Sequence, residues 1–75
     1  MSRMRVIIRD IGTGLFLLGD ADWVADAKNA RTFKGSVEAM SVAARNGMKN
    51  VEVVFKFDDA RYDFAITCGP QRKGA

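Results

Sequence analysis

The sequence predicts a small α+β domain: an antiparallel sheet in the order β-β-α-β-β, with one main helix packed on one face. Three observations support this prediction. Two β-branched or aromatic segments near the N-terminus flank a glycine-containing reversal. A central segment has helical periodicity and helix caps, and two alternating segments follow it with a short turn between them.

The first hairpin is predicted from "MRVIIRD", "IGTG" and "LFLLG". The first of these segments is rich in β-branched residues and alternates, which favours a strand, and the two glycines favour a reversal. A three-residue loop pairs Ile8 with Phe16. A two-residue turn at Gly12-Thr13 pairs Ile8 with Leu17 and turns Phe16 outward. The sequence leaves both registers open.

The central helix is predicted to begin at Ser36, a good N-cap residue, and to end before Gly47, a good C′ residue. Ahead of it, Asp26 is expected to cap a short helical turn over residues 27–33. Four side chains share a stripe at helical spacing and are expected to face the sheet: Val37, Met40, Ala44 and Met48.

The second hairpin is predicted from "VEVVFKF", "DDAR" and "YDFAI", with a turn centred on Asp59-Ala60. The core-facing pairs are expected to be Phe57 with Tyr62, Phe55 with Phe64 and Val53 with Ile66. The same register sets Lys56 against Asp63 on the other face, so both faces support one pairing.

The 75 residues predict one domain, residues 1–75, with flexible tails at 1–3 and 69–75. The composition, 48% hydrophobic and 28% charged, is typical of a globular protein. The apolar runs are too short for a membrane span, and no signal peptide is recognised. The single cysteine, Cys68, is interpreted as a structural thiol in a reducing compartment. We therefore expect a cytoplasmic protein with no membrane association.

The residue types argue against an enzyme. The chain has no histidine and one cysteine, which removes the commonest general base and thiolate zinc sites within one chain. Asp20, Asp22 and Asp26 resemble a calcium loop, but Val24 stands where a ligand is needed and no glycine follows. We predict no catalytic residues, no cofactor and no bound metal.

Trp23, the only tryptophan, is interpreted as a core anchor that clamps the start of the helix to the sheet together with Phe33. The alternative is an exposed binding residue. The two hypotheses differ in what Trp23→Ala does to stability.

The predicted function is a non-catalytic interaction module that binds an unknown protein partner or a second copy of itself as a homodimer. Five apolar residues are expected to form its interaction surface. Ile7, Leu17 and Val54 are expected on the open sheet face, whereas Ala39 and Val42 lie on a second side of the helix that either residues 30–33 or a partner would cover.

The alternative function is weak nucleic-acid binding through the basic segment 28–49. The formal charge is +3, but without the tail residues Arg3, Arg72 and Lys73 the body is neutral. Cations are nonetheless concentrated in this segment, and the first three would share one side of a helical turn. The candidate residues are Lys28, Arg31, Lys34, Arg45 and Lys49. Exposed aromatic residues on the sheet, which often accompany such sites, are not predicted.

The pattern W-x-x-D…A-x-x-F-x-x-S-x-x-A resembles small uncharacterised proteins of bacteria and their phages, over roughly residues 5–57. The positions that match are Trp23, Asp26, Ala30, Phe33, Ser36 and Ala39. This resemblance implies a bacterial or phage-related protein and no particular activity. The segment "ARTFKGSVEA" is similar to the hybrid-binding domain found ahead of some ribonucleases H, which implies nucleic-acid binding.

Overall fold

The computed structural model describes residues 4–19, 22–58 and 60–68. The expected tails, Asp20, Asp59 and the side chain of Cys68 lie outside the described part. Within it, five strands form one antiparallel sheet and one α-helix packs on it, which confirms the predicted fold class. The elements are β1 (Met4–Asp10), β2 (Phe16–Leu17), β3 (Trp23–Val24), α1 (Ser36–Arg45), β4 (Val51–Phe57) and β5 (Phe64–Cys68). Across the sheet the order is β3-β2-β1-β4-β5.

The two longest strands, β1 and β4, pair with each other at the centre of the sheet over their full length, from Met4 opposite Phe57 to Asp10 opposite Val51. Since side chains alternate along a strand, each pair lies on one of two faces. The helix-side face carries the main core, and we call the opposite one the far face. The main core includes Val6, Ile8 and Val53, which are buried together with residues of α1.

The first hairpin adopts the register that pairs Ile8 with Leu17, because Arg9 lies opposite Phe16. The backbone N–H of Asp10 donates to the carbonyl of Leu15 (2.7 Å), which closes a loop of residues 11–14. This register places Leu17 on the helix-side face, where it is completely buried. The expectation that Leu17 belongs to an exposed surface is therefore wrong.

Helix α1 faces the sheet with a different side from the predicted one. Ala39, Val42 and Ala43 are buried in the main core, whereas Val37 is 77% exposed. Small residues at i, i+3 and i+4 let the helix axis approach the sheet closely, and Met40 fills the margin of the core. The placement of Ala39 and Val42 on a side away from the sheet is therefore wrong, and so is the inward placement of Val37 and Ala44, whereas Met40 and Met48 pack against the core as predicted.

The helix caps agree with the sequence to within one residue. Gly35 occupies the N-cap position that was predicted for Ser36, and Gly47 is the C′ residue with φ +67°. The N–H of Met48 donates to the carbonyl of Ala43 (2.9 Å), as in a Schellman motif. Before the helix, Asp26 accepts a hydrogen bond from the N–H of Lys28 (2.9 Å) and caps a short 3₁₀ turn, Ala27–Asn29.

The far face is covered at its centre, although the sequence predicted it to be open. Ile7 and Val54 form a second buried cluster with Ala30, which follows the 3₁₀ turn. The guanidinium of Arg5 donates to the carbonyl of Ala27 (2.8 Å) and fastens this turn to β1. The predicted exposure of Ile7 and Val54 is therefore wrong, because a segment between β3 and α1 lies over them.

The second hairpin has the predicted ladder. Phe55 lies opposite Phe64 and Val53 opposite Ile66, as the sequence predicts. The outer pair, Phe57 with Tyr62, does not form, because residues 60–62 make a 3₁₀ turn before β5 starts.

Candidate interaction surface

Three apolar side chains of the second hairpin are exposed, although the sequence predicted them to be buried. The exposed fraction is 62% for Tyr62, 52% for Phe64 and 40% for Ile66. Phe64 and Ile66 lie two residues apart on the helix-side face of β5, and Tyr62 lies two residues before the strand begins, at the end of the 3₁₀ turn. We call these three side chains the β5 apolar face.

The geometry of the helix explains this exposure. A helix is about 10 Å wide, and strands in a sheet lie about 4.8 Å apart, so one helix covers about two strands. Helix α1 contacts β1 and β4, the central pair. Strand β5 lies beyond them, so its side chains on the helix-side face meet solvent instead of the helix.

Phe64 is held in place by its neighbours. Its ring stacks on the buried ring of Phe55, with the centroids 4.5 Å apart and the planes at 11°, and it lies 6.2 Å from the ring of Phe57. One side of Phe64 thus packs on the core while the other remains exposed. A ring fixed in this way loses little side-chain entropy when a partner covers it.

The start of β5 is fastened by Asp63. One of its carboxylate oxygens accepts from the backbone N–H of Phe57 (2.7 Å), and the other pairs with the Lys56 ammonium (2.8 Å). The predicted contact between Lys56 and Asp63 is therefore confirmed. These two bonds set the direction in which Tyr62 and Phe64 leave the turn.

The outer edge of β5 is a sheet edge, since β4 is its neighbour on one side only. No strand among residues 4–19, 22–58 and 60–68 pairs with that edge. The strand Phe64–Cys68 contains no charged residue and no proline. Soluble proteins usually protect an exposed edge with such residues, because free backbone N–H and C=O groups can otherwise pair with another chain.

A cleft of about 240 Å³ opens on the far face, with Val54 among its lining residues. Two ion pairs also line it, Arg9 with Glu52 and Lys56 with Asp63. Each cation is neutralised by its partner, so the cleft has no net charge that would select a charged ligand.

The five cations proposed for nucleic-acid binding do not form one helical face. The 3₁₀ turn that holds Lys28 ends at Asn29, and Arg31 lies in an extended segment with its guanidinium 4.8 Å from the centroid of the Phe33 ring. The prediction that Lys28, Arg31 and Lys34 share one side of a helical turn is therefore wrong. Arg45 ends α1, and Lys49 lies two residues before β4 begins.

Lys49 also lies away from the exposed rings. It precedes the first residue of β4, whereas Tyr62 lies beyond the last. The seven residues of β4 separate them by about 20 Å.

Within the described residues, no three His, Cys, Asp or Glu side chains come together as metal ligands. No helix in this part of the chain has the length and apolar character needed to cross a membrane. Comparisons with protein families, with curated proteins and with solved structures found no match.

The sequence predicted five interaction residues that the structure buries, and it missed the three exposed side chains of the β5 apolar face. One signal was present: the sequence predicted four strands and a single main helix, and one helix covers only about two strands. The alternation of "YDFAI" correctly predicts which residues share a face, but alternation alone does not say whether a helix covers that face.

Proposed function

We propose that this protein is a non-catalytic interaction module that binds another polypeptide through β5. The observation that supports it is the position of the β5 apolar face, exposed beside an uncharged sheet edge. A polypeptide that adds a strand to such an edge gains main-chain hydrogen bonds, and apolar side chains beside the edge add specificity. Both components are present on the same strand.

The size of the surface fits this role. An aromatic side chain has roughly 150–250 Å² of surface, so the exposed parts of Tyr62 and Phe64 amount to roughly 200 Å². With Ile66 the β5 apolar face reaches roughly 300 Å², at the lower end of the patch sizes that are often functional on monomers. Exposed aromatic rings also tend to contribute more binding energy than other contact residues.

The proposal is tested with Phe64→Lys, since a lysine at this position adds charge to the apolar face without adding bulk to the core. The matched control is Val37→Lys, because Val37 is 77% exposed on α1 and lies outside the β5 apolar face. Each variant and the wild type are immobilised on a resin and incubated with a lysate of the native host, and the captured proteins are quantified by mass spectrometry.

We expect the wild type and Val37→Lys to capture at least one host protein in the same amount. Phe64→Lys should capture about tenfold less of it, which corresponds to a loss of about 1.4 kcal/mol of binding free energy. A circular dichroism melt of both variants checks folding. If all three proteins capture the same set in the same amounts, β5 is not a binding surface for a host protein.

Single-stranded nucleic acid is a second candidate partner, because the structure exposes aromatic rings that the sequence predicted to be buried. The guanidinium of Arg61 lies 5.8 Å from the centroid of the Tyr62 ring. Rings of this kind stack on bases, and nearby cations contact phosphates. The candidate ranks second because Lys28, Arg31 and Lys34 do not line up with each other, and Lys49 lies far from the rings.

A labelled oligonucleotide titrated at low salt tests this candidate. If it is right, binding weakens steeply with added salt and also in the Tyr62→Ala/Phe64→Ala variant, while Lys28→Ala/Arg31→Ala/Lys34→Ala changes it less. No binding at tens of micromolar protein, about 10⁻⁵ M, contradicts this candidate, since low salt strengthens phosphate contacts.

A further inference from the structure

The occupant of the β5 edge must itself be a strand with certain properties. It must offer free backbone groups, carry no charge opposite the uncharged strand, and place apolar side chains next to Phe64 and Ile66. β5 meets all three requirements, because its own outer edge is unpaired among the described residues and its sequence is FAITC. A second copy of this chain is therefore a fitting occupant.

We propose that two copies of this protein associate through antiparallel pairing of β5 with β5 around a two-fold axis. This inference rests on the proposed function, since it names the partner that the β5 surface binds. Antiparallel pairing of identical strands is self-complementary, because each residue contacts its counterpart reciprocally. Two five-stranded sheets thus become one continuous ten-stranded sheet.

The symmetry determines where the helices lie. An axis that relates two antiparallel neighbouring strands stands perpendicular to the sheet, so residues opposite each other lie on the same face. The helix-side face of one copy therefore continues into the helix-side face of the other. The two β5 apolar faces then form one continuous surface between the two copies of α1.

The register follows from the length of the strand. β5 runs from Phe64 to Cys68, so the pairing that overlaps the whole strand is centred on Ile66. It places Ile66 opposite Ile66 of the second copy and Phe64 opposite residue 68. All of these are apolar residue types, and no charged residue of either strand is buried by the contact.

The interface is small. Edge-to-edge pairing buries the backbone edges of the two strands and only the flanks of the side chains beside them, because the two β5 apolar faces lie side by side, so the total stays below about 1,200 Å², as in weak assemblies. The dimer should therefore dissociate on dilution. Its population should depend on protein concentration over the micromolar range.

Analytical ultracentrifugation of the purified protein from about 5 to 500 μM measures this equilibrium. We expect the wild type to change from monomer to dimer across the series, Ile66→Lys to remain monomeric, and Val37→Lys to behave as the wild type. Ile66 is 40% exposed, so the lysine can reach solvent in the monomer.

A cross-link tests the register independently of that substitution. In a Cys68→Ser background, which removes the only cysteine, Ile66→Cys should form an intermolecular disulfide under mild oxidation. Directly opposed residues of antiparallel strands lie about 4.5–5.5 Å apart, within the range of Cα separations that a disulfide spans. Val37→Cys in the same background is the control and should cross-link at least tenfold less.

A wild type that stays monomeric at the highest concentration overturns the inference. So does a dimer that persists in Ile66→Lys and gives no Ile66→Cys cross-link, because its interface would then lie elsewhere. The proposed function is tested by a different result, the dependence of host-protein capture on Phe64. A monomeric protein whose capture of a host protein depends on Phe64 still binds through β5, but to a different partner.

Discussion

At the residue scale, Trp23 lies on β3 opposite Leu17 of β2 and packs against the main core, where it is partly buried. Phe33 is buried in the same cluster, and its backbone N–H donates to the carbonyl of Val6 (2.8 Å). The two rings thus attach the short outer strands and the segment before α1 to the centre of the sheet. This position fits a core anchor.

Substitution of Trp23 by alanine should lower the free energy of unfolding by about 2–3 kcal/mol. This is less than the roughly 3–5 kcal/mol that loss of a fully buried ring costs, because Trp23 is only partly buried. Chemical denaturation followed by circular dichroism measures the loss. Val37→Ala, at a residue that is 77% exposed, is the control and should stay within about 0.5 kcal/mol of the wild type. A Trp23→Ala protein as stable as the wild type would instead favour a binding role for this ring.

At the scale of elements, the C-terminal end of α1 depends on one backbone conformation. Gly47 has φ +67°, a region that strains residues with a Cβ atom, and its N–H donates to the carbonyl of Ala44 (3.2 Å). Met48 then returns towards the main core, where it packs at the margin. The turn therefore sets the direction in which the chain enters β4.

Gly47→Ala should destabilise the protein by about 1–2 kcal/mol, because alanine in the left-handed region costs that much. A Cβ at this position would contact nothing within 4 Å, so the effect isolates backbone strain from packing. Gly47→Asn is the matched comparison, since asparagine adopts the left-handed region at lower cost than alanine and the same open space receives its side chain. Thermal melts compare the two, and equal losses would contradict the assignment of strain to Gly47.

At the scale of the whole molecule, burial is concentrated at the centre of the sheet. β1 and β4 are paired on both sides, and Ile7, Ile8 and Val53 are completely buried. On one edge of the sheet, β3 is two residues long, and on the other edge, β5 carries the exposed side chains of Phe64 and Ile66. Stability should therefore decrease from the central pair towards the edges.

Hydrogen exchange should follow this gradient, because amides in the buried centre open only with global unfolding. In dilute protein we expect the slowest exchange in β1 and β4, and faster exchange at the edge amides of β5. Mass spectrometry or NMR at two concentrations measures this. β5 should gain protection at the higher concentration if it pairs with a second copy, and uniform protection of all strands in dilute protein would contradict the gradient.

The sequence by itself determined the local structure of this protein. Alternation and a short turn set the pairing of Phe55 with Phe64 and of Lys56 with Asp63. Gly47 set the end of the helix. These depend on residues close together in the chain. Two registers for the first hairpin remained open, and tertiary packing chose the one that buries Leu17 beside Ile8.

Only the tertiary structure decided which faces are covered. Ile7 and Val54 are buried because the segment around Ala30 lies over them, and Phe64 is exposed because α1 packs chiefly on the two central strands. Both outcomes depend on where a distant segment packs, and hydrophobic periodicity carries no information about that. The candidate site was missed for this physical reason: periodicity assigns a side chain to a face of the sheet, whereas exposure depends on whether another part of the fold occupies that face.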